Sequence, residues 1–96
     1  MMIRWLDAAV NDLQSVRHYI SQDNATAARK VVKKILHAID ILSEQPGMGR
    51  SGRAINMREL IVPGTPYIVP YRVKHNTVEI LRVLHCAMQW PEDFCD

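Results

Sequence analysis

Residues 58 to 85 hold three apolar, β-favouring runs cut apart by turn residues, and this constrains the fold more than any other feature of the chain. Arg58-Glu59-Leu60-Ile61-Val62 ends at Pro63-Gly64-Thr65-Pro66, Tyr67 to Val73 ends at Lys74-His75-Asn76, and Thr77 to His85 comes last. Short β-branched and aromatic runs bounded by such residues read as strands, with the last two paired as a hairpin. The first of them is read as running from about Asn56 to Val62. Ile80, Leu81, Val83 and Leu84 send apolar side chains both ways, the pattern of a strand covered on both faces. One face must pack on helices, and the other needs a second cover, for which a partner chain is one candidate. Pro70 cannot donate to a ladder, so either its strand lies at an edge there or a bulge accommodates it.

The first half supplies the helices. Ile3 to Leu6 reads as a brief strand, and Asp7 as the N-cap of the first helix. Ala9, Leu13, Val16 and Ile20 recur at helical spacing up to about Gln22, with Tyr19 beside them. Asn24 caps a second helix with a broad apolar stripe of Ala28, Val31, Val32, Ile35, Leu36, Ile39 and Leu42. Arg29, Lys30, Lys33, Lys34 and His37 line its opposite face. It stops before Gln45-Pro46-Gly47, where proline ends the helical ladder. The two-residue link makes the helices an antiparallel hairpin. Pro46 to Arg53, with three glycines, reads as a mobile loop. The sum is one α+β domain over residues 1–96: a short N-terminal strand and an antiparallel helical hairpin packed on a small, mainly antiparallel sheet.

Composition narrows the function. No apolar stretch reaches the roughly 20 residues of a membrane span, and the start lacks the long apolar region of a signal peptide, so the expected location is cytoplasmic. Cys86 and Cys95 are the only cysteines. In a reducing compartment both are free thiols, Cys86 as a small buried residue. No cysteine or histidine spacing suits a metal, and no cofactor motif is present. Residues 29 to 82 hold ten of the twelve bases but four of the ten acids, which suits an acidic partner or a merely solvated surface.

Familiar catalytic signatures are missing. Gly47, Gly49 and Gly52 lack the Lys-Ser/Thr ending of a phosphate loop, and Ser51 has no base near it in sequence. Glu59 and Glu79 are isolated on strands and read as surface partners of arginines. One reaction stays open. Cleaving RNA through its own 2′-hydroxyl needs a base, a proton donor and cations on the phosphorane, which Arg58, Arg72, Arg82 and His85 could supply if they converged. His18, His37 and His75 read as surface residues. Trp90 reads as a lid over the core or an anchor for a partner, and Trp5 as at least half-buried.

The series Leu42, Pro46-x-x-Gly49-Arg50, Arg58-Glu59-Leu60, Pro66-Tyr67-Ile68-Val69-x-Tyr71-Arg72-Val73 and Val83-Leu84-His85 through Trp90-Pro91 resembles the RelE/ParE superfamily of bacterial toxins of type II toxin–antitoxin systems. The resemblance runs from about Trp5 to Pro91 and lies in the order and spacing of the pieces. It implies a growth-inhibiting toxin held silent by a cognate antitoxin, which wraps an extended, partly helical segment over it in a hetero-oligomer. It leaves two activities: RelE-like cleavage of mRNA on the ribosome, and ParE-like inhibition of DNA gyrase without nuclease chemistry.

Two departures favour the ParE branch. Ile68 stands where the RelE-like pattern carries an arginine of the third strand. The tail from Ala87 to Asp93 has no tyrosine and is acidic, which ribosomal RNA would repel. The Leu84-His85 pair occurs in both branches. The family usually has an aliphatic residue where this chain has Pro70. The resemblance therefore implies a gyrase inhibitor without catalytic residues, contacting its target through Arg50, Arg53, Gln89 and Trp90. The alternative is a ribosome-dependent, metal-independent endoribonuclease using Arg58, Arg72, Arg82 and His85.

Overall fold

A computed structural model describes residues 1–52 and 56–87 of the chain. The element order is β1 (Met2–Trp5), α1 (Asp7–Ser21), α2 (Ala25–Ile41), β2 (Arg50–Ser51), β3 (Arg58–Ile61), β4 (Tyr67–Lys74), β5 (Thr77–Ile80) and β6 (Leu84–His85). The strands form one sheet in the order β1-β5-β4-β3-β2, with β6 also on β4. All pairings are antiparallel except β1 with β5. The expected α+β architecture is thus present, with the N-terminal strand at the sheet's edge.

Alternation along the strands sorts the sheet into two faces. Leu60, Val69, Tyr71, Val78 and Ile80 point to the helices and share a core with Ala9 of α1 and Ile35 and Ile39 of α2. Met57, Ile68, Leu81 and Leu84 form a second cluster with Leu6 on the outer face. Asn24 caps α2 as expected, its side chain accepting from Ala27 N at 3.0 Å. Asp7 is not the cap of α1. Leu6 occupies that position in extended conformation, and its carbonyl takes the first helical amides from Ala9 and Val10. Asp7 instead sits in the first turn, where its charge meets the positive end of the helix. His75 and Asn76 both have positive φ, 51° and 59°, the geometry of a two-residue hairpin turn.

The strand expected over Thr77 to His85 is broken. Tyr71 lies opposite Ile80, yet Ile68 lies opposite Leu84, so β4 advances three residues while its neighbour advances four. The extra residue is a β-bulge between Leu81 and Val83. Pro70 stands at its start. Leu81 N donates to Pro70 O at 2.9 Å, and the reciprocal bond is the one a proline nitrogen cannot make. Pro70 is fully buried between β3 and the bulge, so of the two ways to hold it, the bulge is correct and the edge is not.

Asp12 of α1 occupies the break. Its carboxylate accepts from Val83 N at 3.0 Å and from Arg82 through Nε at 2.5 Å and Nη2 at 3.0 Å. A helix side chain thereby replaces the ladder partner that the bulged strand lost.

Candidate functional site

The loop after α2 is built, not free. Tyr71, fully buried, donates its hydroxyl to Pro46 O at 2.7 Å and accepts from Gly49 N at 2.9 Å. Arg58 donates to Gly49 O at 2.7 Å from the next strand. Arg50 and Ser51 then pair with Glu59 and Arg58 as β2. The mobile loop expected from its glycines is therefore tied to the sheet as far as Ser51. Gly49 is required by this approach, since a Cβ there would lie 2.6 Å from the Tyr71 ring and hydroxyl. Burial pushes the Tyr71 pKa above 10, despite the opposing Gly49 hydrogen bond and Arg58 charge, so the hydroxyl stays a donor.

The four residues that could form a ribonuclease centre do not converge. Arg58 lies opposite Tyr71 and is engaged by the loop carbonyls. Arg72 projects from the outer face, where its Nε meets Glu79 at 2.5 Å. Arg82 turns toward α1 and Asp12. His85 lies opposite Tyr67, edge-on to its ring at 5.4 Å, and its Nδ1 accepts from Ala87 N. Arg58 and His85 are thus four residues apart along β4 and on strands that flank it on opposite sides, roughly 16 Å in all. With Nδ1 accepting, the neutral His85 ring carries its proton on Nε2, an arrangement that serves the turn after β6.

Glu59 and Glu79 are arginine partners as expected, but they are buried, at 3% and 8% exposure, and are not surface groups. Arg50 bonds Glu59 at 3.1 Å, while Arg72 and, at 3.8 Å, Arg4 hold Glu79. Arg72 donates the hydrogen bond that keeps the Glu79 carboxyl below its usual 4.5 against the opposing effect of burial, and the charges of Arg72, Arg4 and Lys74 add to it. Cys86 is exposed, contrary to expectation, because it follows β6 into a turn. Arg53, Gln89 and Trp90, expected at a target-contacting surface, lie outside the described residues.

Two hollows flank α2. One, of about 770 Å³, lies between α2 and the edge strand β1, with Ile3, Trp5, Leu36 and Ile39 as apolar floor and Lys30 and Lys33 at the rim. Among the described residues that line it, Asp40 is the one carboxylate. The other, of about 580 Å³, lies between α2 and β3 and brings Arg50 beside Met48 and Ile61, both close to half exposed. Leu36, expected in the buried stripe of α2, is also close to half exposed and opens into the first hollow. Sequence periodicity could not mark these grooves, because each combines a helix face with a strand distant in sequence. Among the described residues no group of three or more histidine, cysteine, aspartate or glutamate side chains could hold a metal ion. No helix there is long and apolar enough to cross a membrane.

Comparison with known proteins places the chain. Residues 3–90 match the model of the ParE toxin of the type II toxin–antitoxin system parDE. A putative toxin, Y4kP, of Sinorhizobium fredii is 44% identical over 90 residues, covering 94% of this chain and 93% of that protein. Toxin RelE2 of Caulobacter vibrioides is 37% identical over 83 residues, 86% of this chain and 92% of that one. A solved chain from the chromosomal ParDE toxin–antitoxin system of P. aeruginosa is similar at TM-score 0.79 and 28% identity, over 88% of this chain and 95% of its own. With the family pattern matched along nearly its whole length, the chain belongs to the ParE toxins of type II toxin–antitoxin systems.

Proposed function

We propose that this toxin acts in the cytoplasm by binding DNA gyrase, without breaking a covalent bond, and that its cognate antitoxin silences it by covering the hollow between α2 and β1. The observation that carries the first part is the dispersal of Arg58, Arg72, Arg82 and His85. Each is bonded within the fold, and Arg58 and Arg72 stand on opposite faces of the sheet. A phosphorane needs cations and a proton-transfer group within a few ångströms of one another.

The target-facing surface is the second hollow, where Arg50 stands beside half-exposed Met48 and Ile61, a guanidinium next to apolar area. Arg53, Gln89 and Trp90, which the same reading assigns to target contact, lie outside the described residues. Arginine and exposed apolar side chains together are the composition of a protein-binding hot spot. For the antitoxin, the first hollow offers an apolar floor, a lysine rim and the open edge of β1, which suits an acidic segment bearing apolar anchors.

A supercoiling assay beside a translation-coupled cleavage assay tests the target. The purified toxin should block supercoiling at near-stoichiometric ratio and leave mRNA intact. Unchanged supercoiling, or codon-phased mRNA ends that vanish with His85→Ala, would refute it.

A further inference from the structure

The outer face of the sheet carries a charge arrangement that the gyrase reading does not use. Arg4, Glu79 and Arg72 sit side by side on β1, β5 and β4. The carboxylate is buried, while the side chains of Arg4 and Arg72 remain 69% and 44% exposed. Glu79 thus fixes the Arg72 guanidinium by a hydrogen bond and draws that of Arg4 to within 3.8 Å. Arg72 meets it through Nε, which leaves the fork of terminal nitrogens turned away from that bond. Lys74 and His75 join Arg4, Thr77 and Glu79 around a hollow of about 240 Å³ at the hairpin end. Three cations surround one carboxylate, an excess of two positive charges before His75 is counted.

We infer that this face binds the sugar–phosphate backbone of duplex DNA without reading its sequence. Guanidinium forks held in place suit phosphate oxygens, which they can bond two at a time. Arg4 and Arg72 flank β5, two strand spacings or about 10 Å apart. A duplex presents one phosphate charge per roughly 1.7 Å of axis, so it meets both wherever it lies along the patch.

The other anionic partners fit less well. An acidic amphipathic segment needs exposed apolar area, yet Met57, Ile68, Leu81 and Leu84 on this face are each at most 8% exposed. The exposed apolar side chains of this face, Met2 and Ile61, stand apart on β1 and β3 with β5 and β4 between them, whereas continuous apolar area lies in the hollows beside α2. Single-stranded RNA is held largely by stacking on aromatic side chains. Among the described residues the tryptophan and the tyrosines lie elsewhere, Trp5, Tyr67 and Tyr71 on the helix side and Tyr19 on α1, which leaves His75 as the one ring at the patch.

The inference goes beyond gyrase binding and does not depend on it, so it is tested on DNA alone. Fluorescence anisotropy of a labelled 20-base-pair duplex is followed with the purified full chain between about 25 and 200 mM salt. Binding should weaken with salt at a log–log slope near −3, one unit for each of three phosphate contacts. Arg4→Gln with Lys74→Gln should bring the slope near −1 and weaken binding about ten- to a hundredfold at 50 mM salt. Both side chains are exposed, and circular dichroism verifies that the variant folds. Arg17→Gln with Arg29→Gln, removing the same charge from the helices, should leave binding unchanged. No binding at 25 mM salt, an equal loss with the helix pair, or tighter binding to single-stranded RNA of the same length would each overturn it.

Discussion

Tyr71 shows how much a single hydroxyl organises here. It is fully buried, and the pair of bonds it makes to Pro46 O and Gly49 N fixes the chain leaving α2 against the sheet. Tyr71→Phe keeps the ring and removes both bonds, leaving a buried amide without its acceptor. The expected loss is about 1–3 kcal/mol of unfolding free energy, read from urea denaturation. Glu79 yields a pH prediction. Its folded pKa is depressed, chiefly by the hydrogen bond from Arg72. Its contribution is therefore present at neutral pH, begins to fall as the pH drops below about 4.5, and is gone below the lower folded value. The stability gap between the parent chain and Glu79→Gln should accordingly narrow as urea midpoints are followed from pH 7 down to pH 3. A gap that stays constant over that range would show that the charge of Glu79 contributes nothing.

Among the elements, the bulge is the least obvious and the most exposed to test. Asp12 bonds both Val83 N and the Arg82 guanidinium across some seventy residues of sequence. Asp12→Ala should cost about 1.5–3 kcal/mol, the range for hydrogen bonds to a charged group, and should speed hydrogen exchange at the Val83 amide more than at Val78. Asp12→Asn, which keeps an acceptor oxygen, should cost less. This element also marks what the sequence could and could not reveal. Both helices were legible because 3.6-residue periodicity and the Asn24 cap are local signals, and so were the strands between Pro, Gly and Asn turns. The break in the last strand was not, because it depends on Asp12 meeting Val83. Pro70 signalled a defect but could not say in which strand it would be absorbed. The buried state of Glu59 and Glu79 escaped for a similar reason: their isolation on strands suggested arginine partners, but burial depends on which arginines the register brings alongside. The dispersal of Arg58, Arg72, Arg82 and His85 likewise follows from register and the bulge, which spacing along the chain does not encode.

For the whole molecule, the distribution of cations separates the surfaces. Lys30 and Lys33 rim an apolar hollow on the helix side, Arg50 stands by a second, and Arg4, Arg72 and Lys74 occupy the far face of the sheet. If the first hollow receives the antitoxin, reversing its rim should act on that complex alone. Lys30→Glu with Lys33→Glu replaces two attractions by two repulsions facing an acidic segment. Exposed charges act mainly on association and are screened beyond about 10 Å at 0.1 M salt. The variant's antitoxin affinity should therefore fall at least tenfold at 50 mM salt, mostly through slower association, and the deficit should shrink by 300 mM. Supercoiling inhibition by the free variant should match that of the parent chain, because neither Lys30 nor Lys33 lines the hollow that holds Arg50. Surface plasmon resonance across the salt series reads the first effect and the gyrase assay the second. Antitoxin binding equal to that of the parent chain at 50 mM salt would remove the α2–β1 hollow as the seat, whereas lost supercoiling inhibition would mean that antitoxin and gyrase compete for one surface.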